Sequence, residues 1–346
     1  MKTHFLAATI IIIMLPAAVL ADCTCEAEDE YRDKALALRY KLAALASILV
    51  ASAAGVCLPV AAKRFPALSP KSNLFFVVKA FAAGVILSTG FIHVLPDAFE
   101  SLTSPCIPDH PWGDFPFTGF IAMVASIGTL MVDTYTTSYY RRRANAKAAD
   151  GGGDEEMLAA VHDRDTHGHV HRGGLVSSDS DSDDSEELRH RVISQVLELG
   201  IVVHSVIIGI ALGASQSPST IKPLIAALTF HQFFEGIGLG GCISQAKFNV
   251  RAVVTMAVFF SLTTPVGIAI GIGIANIYSE TSTTALVVEG VFNSASAGIL
   301  IYMALVDLLS ADFMSPRLQN NGKLQLGANL ALLIGTGCMS LLTKWA

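Results

Sequence analysis

Two histidines and a glutamate inside long apolar segments are the residues best suited to chemistry. His204 lies in the apolar run 192–213, and His231 and Glu235 lie four residues apart in the run 222–243. Residues at i and i+4 share one face of a helix, so an imidazole and a carboxylate project together. Both groups are ligands for borderline divalent ions such as zinc and ferrous iron.

The depths of these residues indicate one shared site. At 1.5 Å per residue, His204 lies roughly 18 Å and His231 roughly 14 Å from the ends of their segments, which places both near the midplane of a membrane. The alternative is that each polar group only joins helices by hydrogen bonds. Two histidines and a carboxylate at one depth favour a metal site, which we predict to comprise His204, His231 and Glu235, with Gln232 and Ser205 assisting.

Other ionisable residues predict a path to and from this site. His93 and Asp97, again at i and i+4, lie near the outer end of the run 75–98 and are interpreted as an entrance. Asp133, roughly 24 Å along the run 117–139, is interpreted as an exit ligand. Solvation at the rim is the alternative for His93 and Asp97. For Asp133 the alternative is a carboxylate that reaches interfacial water or the nearby arginines. We interpret Glu289 and Asp307 as interfacial.

A second histidine group lies in a polar segment, at His162, His167, His169 and His171. Four imidazoles interleaved with aspartates are typical of a weak metal buffer or sensor. A hydrophilic tether is the alternative interpretation.

The elements that position these residues are membrane helices. Of the 346 residues, 52% are apolar and only 15% are charged, and the mean hydropathy is +0.54. Because soluble domains carry about 25% charged residues, this composition excludes an ordinary soluble enzyme, and no basic face suggests nucleic acid. Runs long enough to span a bilayer lie near 42–62, 75–98, 117–139, 192–213, 222–243, 252–276, 284–308 and 326–343.

We therefore predict an all-α polytopic membrane protein, with eight transmembrane helices in a 3+5 arrangement. A lysine, a short apolar run and small residues predict a signal peptide over 1–21, followed by an extracellular or lumenal segment over 22–41. Helices 1–3 occupy 42–139, a cytosolic His- and Asp/Ser-rich loop occupies 140–191, and helices 4–8 occupy 192–346. The loop is too polar to fold and is predicted to be disordered.

Loop charges predict the orientation. Lys and Arg occur in the loops 63–74, 141–191, 244–251 and 309–325, and none occurs in 99–116, 214–221 and 277–283. By the positive-inside rule, both termini are extracellular or lumenal. The plasma membrane is the first expectation and an endomembrane the alternative. Cys23, Cys25 and Cys106 can then form a disulfide in an oxidising compartment.

Glycines and one proline predict how the inner helices pack. Six glycines of the fourth and fifth spans indicate close helix approach; they are Gly209, Gly213, Gly236, Gly238, Gly240 and Gly241. Pro265 in the sixth span releases a backbone carbonyl. That carbonyl, Thr263 and Thr264 either line a cavity or satisfy one another.

These motifs resemble those of the Zrt/Irt-like (ZIP) metal transporter family, particularly its plant members. The matching segments are Ala-Gly-Val-Ile-Leu at 83–87, Phe-Ile-His-Val-Leu-Pro-Asp at 91–97, Leu-Met-Val-Asp at 130–133, His-Ser-Val-Ile-Ile-Gly at 204–209 and His-Gln-Phe-Phe-Glu-Gly-Ile-Gly-Leu-Gly-Gly at 231–241. The resemblance implies that divalent metal ions move into the cytosol from outside or from an organelle lumen. It also implies a midplane metal site between the fourth and fifth helices and an elevator-like motion of one helix bundle against another.

At two positions near the predicted metal site, this sequence differs from the family pattern. Ile208 and Gln232 stand where many family members carry carboxylates, so we expect a single metal position. Zinc is the first expected substrate because two imidazoles and a carboxylate nearly complete a tetrahedral set. The ions Fe2+, Mn2+, Cu2+ and Cd2+ suit the ligands to differing degrees. We expect that the protein uses no catalytic cofactor and that its helices contact membrane lipid. Whether it forms a homodimer is left open.

Two other functions compete with transport. One is a membrane metal-sensing receptor that uses the helices as a switch and the loop as its output. The other is an intramembrane metallohydrolase, but the sequence contains no His-Glu-x-x-His motif and no spare general base beside the histidines. We therefore expect that the protein is not an enzyme.

Overall fold

The protein is described by a computed structural model that covers residues 33–62, 72–150, 194, 198, 200–246, 248–275 and 282–344. Its long helices are α1 Lys34–Ala62, α2 Asn73–Leu102, α3 Phe117–Asp150, α4 Gly200–Ala214, α5 Pro218–Gln245, α6 Val250–Ile274, α7 Thr283–Ser310 and α8 Gly322–Thr343. Short helices occupy Asp109–Trp112, Ala311–Phe313 and Pro316–Gln319. The described part of the chain has no strands, which confirms the all-α class.

Six of these helices are long and apolar enough to cross a membrane. The other two are α4, which is apolar but shorter in the described residues, and α5, whose 28 residues include His231, Gln232 and Glu235. The polytopic membrane fold is therefore confirmed, and the count of eight spans stays a prediction.

Two helix ends differ from the predicted spans by eight residues or more. Helix α1 begins at Lys34 instead of near residue 42, and α3 continues to Asp150, into the residues assigned to the polar loop. The predicted signal peptide lies outside the described residues, as do the four loop histidines.

Glycines join the long helices in pairs. A side chain added at Gly55 or Gly240 would collide with the backbone of the opposite helix in the α1–α5 pair. Gly213 and Gly271 lie backbone to backbone between α4 and α6, and Gly335 of α8 lies against the backbone of α2. Close approach of this kind is typical of membrane helices.

Two helices contain π-helical segments, Thr89–Val94 in α2 and Met303–Ser310 in α7. The α2 segment ends two residues before Pro96, which has no N–H to donate and whose ring would clash with the carbonyl of Ile92 in an α-helix. The N–H of Leu95 instead reaches the carbonyl of Gly90, five residues back. Such π-turns occur frequently at functional sites.

The loop after α2 is tied to the start of α7, because the Thr283 hydroxyl donates to the Cys106 carbonyl over 3.0 Å. Cys106 is disulfide-bonded. Cys57, Cys242 and Cys338 are free, and Cys23 and Cys25 lie outside the described residues.

Candidate metal centre

His204 of α4 meets His231 and Glu235 of α5 inside the protein. One ligand atom from each of the three residues lies within 4.8 Å of the others. The two imidazole ring centroids are 5.8 Å apart, and all three side chains are buried. Among the described residues, this is the one such group of three His, Cys, Asp or Glu side chains.

The ligand atoms of this group are chemically unsatisfied. Both ring nitrogens of His204 and both carboxylate oxygens of Glu235 are buried and have no hydrogen-bond partner among the described residues. Burying such groups without partners is costly, and a bound cation would supply the missing partner. The donor set suits a divalent ion of zinc or ferrous type.

His93 brings a third imidazole next to this group. Its ring centroid is 6.4 Å from that of His204 and 5.9 Å from that of His231, and the side chain is 5% exposed. His93 lies within the π-helical segment of α2, which changes the direction of its side chain relative to a regular α-helix. The sequence places His93 in an entrance with Asp97, whereas the structure sets it against both site histidines.

Asp97 remains the more accessible of the α2 pair. Its side chain is 41% exposed, and its Oδ2 lies 3.8 Å from Nδ1 of His93. The carboxylate therefore lies between His93 and the surface near the C-terminal end of α2, and an entrance role stays a prediction.

The two assisting residues are also buried. Ser205 and Gln232 lie beside His204 and His231 in sequence, and each is at most 2% exposed. The Thr264 hydroxyl of α6 donates to Oε1 of Gln232 over 3.5 Å, and Thr263 donates instead to the carbonyl of Phe259 in its own helix. Thr264 thus orients the amide beside the site.

Asp133 lies between α3 and α7, where the Tyr302 hydroxyl donates to its carboxylate over 3.4 Å. It is not part of the three-residue group, and its role as an exit ligand stays a prediction. Asp307 is only 3% exposed, so other helices cover it, and its interpretation as interfacial stays a prediction.

Lys79 of α2 is an ionisable residue that the sequence interpretation did not single out. It is 5% exposed and its ammonium lies 2.9 Å from Oδ2 of Asp312. The available signal was a lysine within an apolar span, a position that marks functional sites in membrane proteins.

Known proteins match this chain along most of its length. The family model "ZIP Zinc transporter" matches residues 38–343. The chain belongs to the ZIP zinc transporter family. Zinc transporter 8 of Oryza sativa subsp. japonica is 56% identical over 91% of this chain and 90% of its own length. Zinc transporter 3 of Arabidopsis thaliana is 54% identical over 94% and 90%, and Fe(2+) transport protein 2 of Oryza sativa subsp. japonica is 52% identical over 92% and 88%.

Membership of the ZIP family gives the protein its function, the transport of divalent metal ions across a membrane. The metal ion is the transported substrate. Of the three functions considered from the sequence, transport is the one that the family supports.

Proposed function

We propose that this ZIP protein transports zinc, and ferrous iron as a second substrate, into the cytosol through the buried group of His204, His231 and Glu235. The observation that carries the proposal is the convergence of three ligand atoms within 4.8 Å from two helices. Zinc with two imidazoles and one carboxylate needs only one further ligand for a tetrahedral shell. His93 is the nearest imidazole for that position, and Ser205 and Gln232 assist.

Substrate choice is supported by the ligand types and by the relatives. The relatives include proteins named as zinc transporters and as Fe(2+) transport proteins, and imidazole suits both metals. Manganese, copper and cadmium ions are weaker candidates. The order of preference is measured by the competition of Fe2+, Mn2+, Cu2+ and Cd2+, each in turn, with the uptake of radioactive zinc. The cells used have no zinc uptake of their own.

The direction of transport follows from the proposed orientation. The asymmetry of Lys and Arg among the loops supports an orientation with both termini outside the cytosol. The disulfide at Cys106 supports the same side for the loop after α2, because disulfides persist in oxidising compartments. We propose the plasma membrane as the site of action, with the exposed apolar side chains of α3 and α6 facing lipid.

Glu235→Gln tests the metal site, because the amide preserves the shape of the side chain and removes its charge. We expect zinc uptake to fall by about 10- to 100-fold or more, as for other groups that hold a metal, while the protein still reaches the membrane. Asp114→Asn is the matched control, because this carboxylate is 67% exposed, lies in the loop between α2 and α3 and is not part of the three-residue group. Uptake by Glu235→Gln equal to that of Asp114→Asn would remove Glu235 from the site.

A further inference from the structure

The ion pair of Lys79 and Asp312 is unusual because it lies largely inside the protein. Lys79 belongs to the first half of α2, and Asp312 belongs to the short helix that follows α7. The ammonium and carboxylate are 2.9 Å apart, at 5% and 23% exposure. Ionisable residues inside membrane proteins pair with one another and mark ion pathways.

The face of α2 that carries this lysine also leads to the metal site. Lys79 and Ile86 lie seven residues apart, so they share one face of the helix. Ile86 precedes His93 by a further seven residues. The π-helical segment turns His93 away from this seven-residue line, but its ring lies at the site, so about 20 Å along α2 separates Lys79 from the site.

The opposing face of α5 descends from the site in parallel. Glu235, Gly238 and Cys242 lie at i, i+3 and i+7, on one side of that helix. A side chain built at Gly238 would meet Ile86 at 3.1 Å and Leu308 of α7 at 3.8 Å. An apolar layer therefore lies directly beneath Glu235, between α2, α5 and α7.

The ion pair lies beyond this apolar layer. Cys242 lies about 10 Å below Glu235 along α5. It is within electrostatic range of Lys79, Asp307 and Asp312. A metal ion that leaves the site along this face of α5 passes the apolar layer and then meets these three charges. With the proposed orientation, they lie on the cytosolic side.

We propose that Lys79 is a release residue, whose ammonium occupies the Asp312 carboxylate and is exchanged for the metal ion during exit. The metal ion contacts the carboxylate as the ammonium moves away, and the returning ammonium then drives the ion into the cytosol. Without this tethered cation, Asp312 would retain the metal. The inference rests on the proposed transport function and adds a residue to its pathway.

Lys79→Gln tests this role through the number of zinc ions bound. Purified protein in detergent is dialysed against radioactive zinc, and we expect this variant to hold about one more ion per chain than the unchanged protein, since carboxylates freed of a counter-ion bind divalent metals. Zinc uptake by cells should fall by about tenfold, as release slows. Lys79→Arg keeps the charge and should hold no additional zinc.

Two further variants separate release from structure. The double variant Lys79→Gln/Asp312→Asn removes both charges, and we expect normal zinc stoichiometry and uptake within about threefold of the unchanged protein. Lys323→Gln is the matched control, since this lysine is exposed at the start of α8. If Lys79→Gln requires zinc to fold, purification with zinc and with a chelator shows the dependence.

The zinc stoichiometry decides whether the Lys79 ammonium and the metal ion exchange at the Asp312 carboxylate. Additional zinc in Lys79→Gln that disappears in the double variant supports this exchange. A folded Lys79→Gln protein with normal zinc stoichiometry overturns it, as does one that stays aggregated in excess zinc. If the unchanged protein binds no zinc, the proposed function itself fails, which is a distinguishable result.

Discussion

At the scale of single residues, the buried site is a set of imidazole and carboxylate donors suited to a divalent cation. Glu235 is fully buried with no hydrogen-bond partner among the described residues. A carboxylate in such surroundings is expensive unless it is paired or coordinates a metal. The histidines alone would not offset that cost, because neutral imidazoles contribute lone pairs but no charge. A divalent ion satisfies all of these groups together.

His93→Ala tests whether the third imidazole belongs to the site. We expect the zinc concentration for half-maximal uptake to rise by about 10- to 100-fold, the usual effect of losing a group that holds or orients a metal. The measurement is the zinc dependence of uptake at constant protein level in the membrane. The change should persist at high ionic strength, because a buried ligand is poorly screened.

Asp97→Asn provides the contrast on the same helix. Its carboxylate is 41% exposed, so its attraction for metal ions is screened by salt. We expect a change of about threefold or less that disappears at high ionic strength, in keeping with exposed charges. Equal effects of both substitutions, removed equally by salt, would return His93 to the entrance that the sequence predicts.

The sequence reveals the two α5 residues more readily than it reveals His93. The spacing of His231 and Glu235 places them on one face whatever surrounds them, and counting residues brings His204 to their depth. The position of His93 depends on the π-turn before Pro96 and on how α2 packs against α4 and α5. Those are tertiary properties, and the i, i+4 spacing of His93 and Asp97 in the sequence does not predict them.

At the scale of helices, glycines set the distance between elements and therefore the size of the site. Gly209 and Gly213 of α4 lie against the backbone of α6, and Gly236 and Gly240 of α5 lie against that of α1. The sequence predicts close packing at these positions. It does not identify the partner helices, and Gly238 in fact approaches side chains of α2 and α7.

Gly271→Ala and Gly273→Ala of α6 form a matched pair for this packing. An added methyl at Gly271 would overlap the carbonyl oxygen of Ile210 and lie 2.7 Å from the Cα of Gly213. We expect a loss of about 1–3 kcal/mol in stability from overpacking. At Gly273 nothing lies within 4 Å, so alanine should be neutral or stabilise the helix by up to about 1 kcal/mol.

Thermal unfolding in detergent, followed by size-exclusion chromatography, measures both substitutions. The midpoint should fall for Gly271→Ala only, and zinc uptake should fall with it because α6 carries the Thr264 that holds Gln232. Equal midpoints for the two variants would mean that α4 and α6 separate without cost, contrary to the structure.

At the scale of the whole molecule, the closest helix pairs fall into two groups. The first helix group contains α1, α4, α5 and α6, and the second contains α2, α3, α7 and α8. Within the first, Ser47 of α1 and Thr229 of α5 share a hydrogen bond of 3.0 Å. Within the second, Ser88 of α2 and Ser340 of α8 share one of 2.9 Å. His204, His231 and Glu235 belong to the first group, whereas His93 belongs to the second.

This division fits the elevator-like motion implied by the family resemblance. If the first group carries the metal ion past the second, His93 must separate from the other ligands in each cycle. Cross-links within a group should then be harmless, and cross-links between groups should stop transport. The contact between Phe81 of α2 and Phe234 of α5, with ring centroids 4.7 Å apart, offers a place to join the groups.

Cysteine pairs test the motion after Cys57, Cys242 and Cys338 are replaced by alanine. A disulfide between cysteines at positions 47 and 229, or 88 and 340, joins helices of one group, and we expect normal zinc uptake in both cases. Cysteines at 81 and 234, joined by a short bifunctional thiol reagent, should reduce uptake to that of cells without the protein. The same pair without reagent is the control for the substitutions. Full uptake by the protein cross-linked between 81 and 234 would show that metal ions pass without relative motion of these helices.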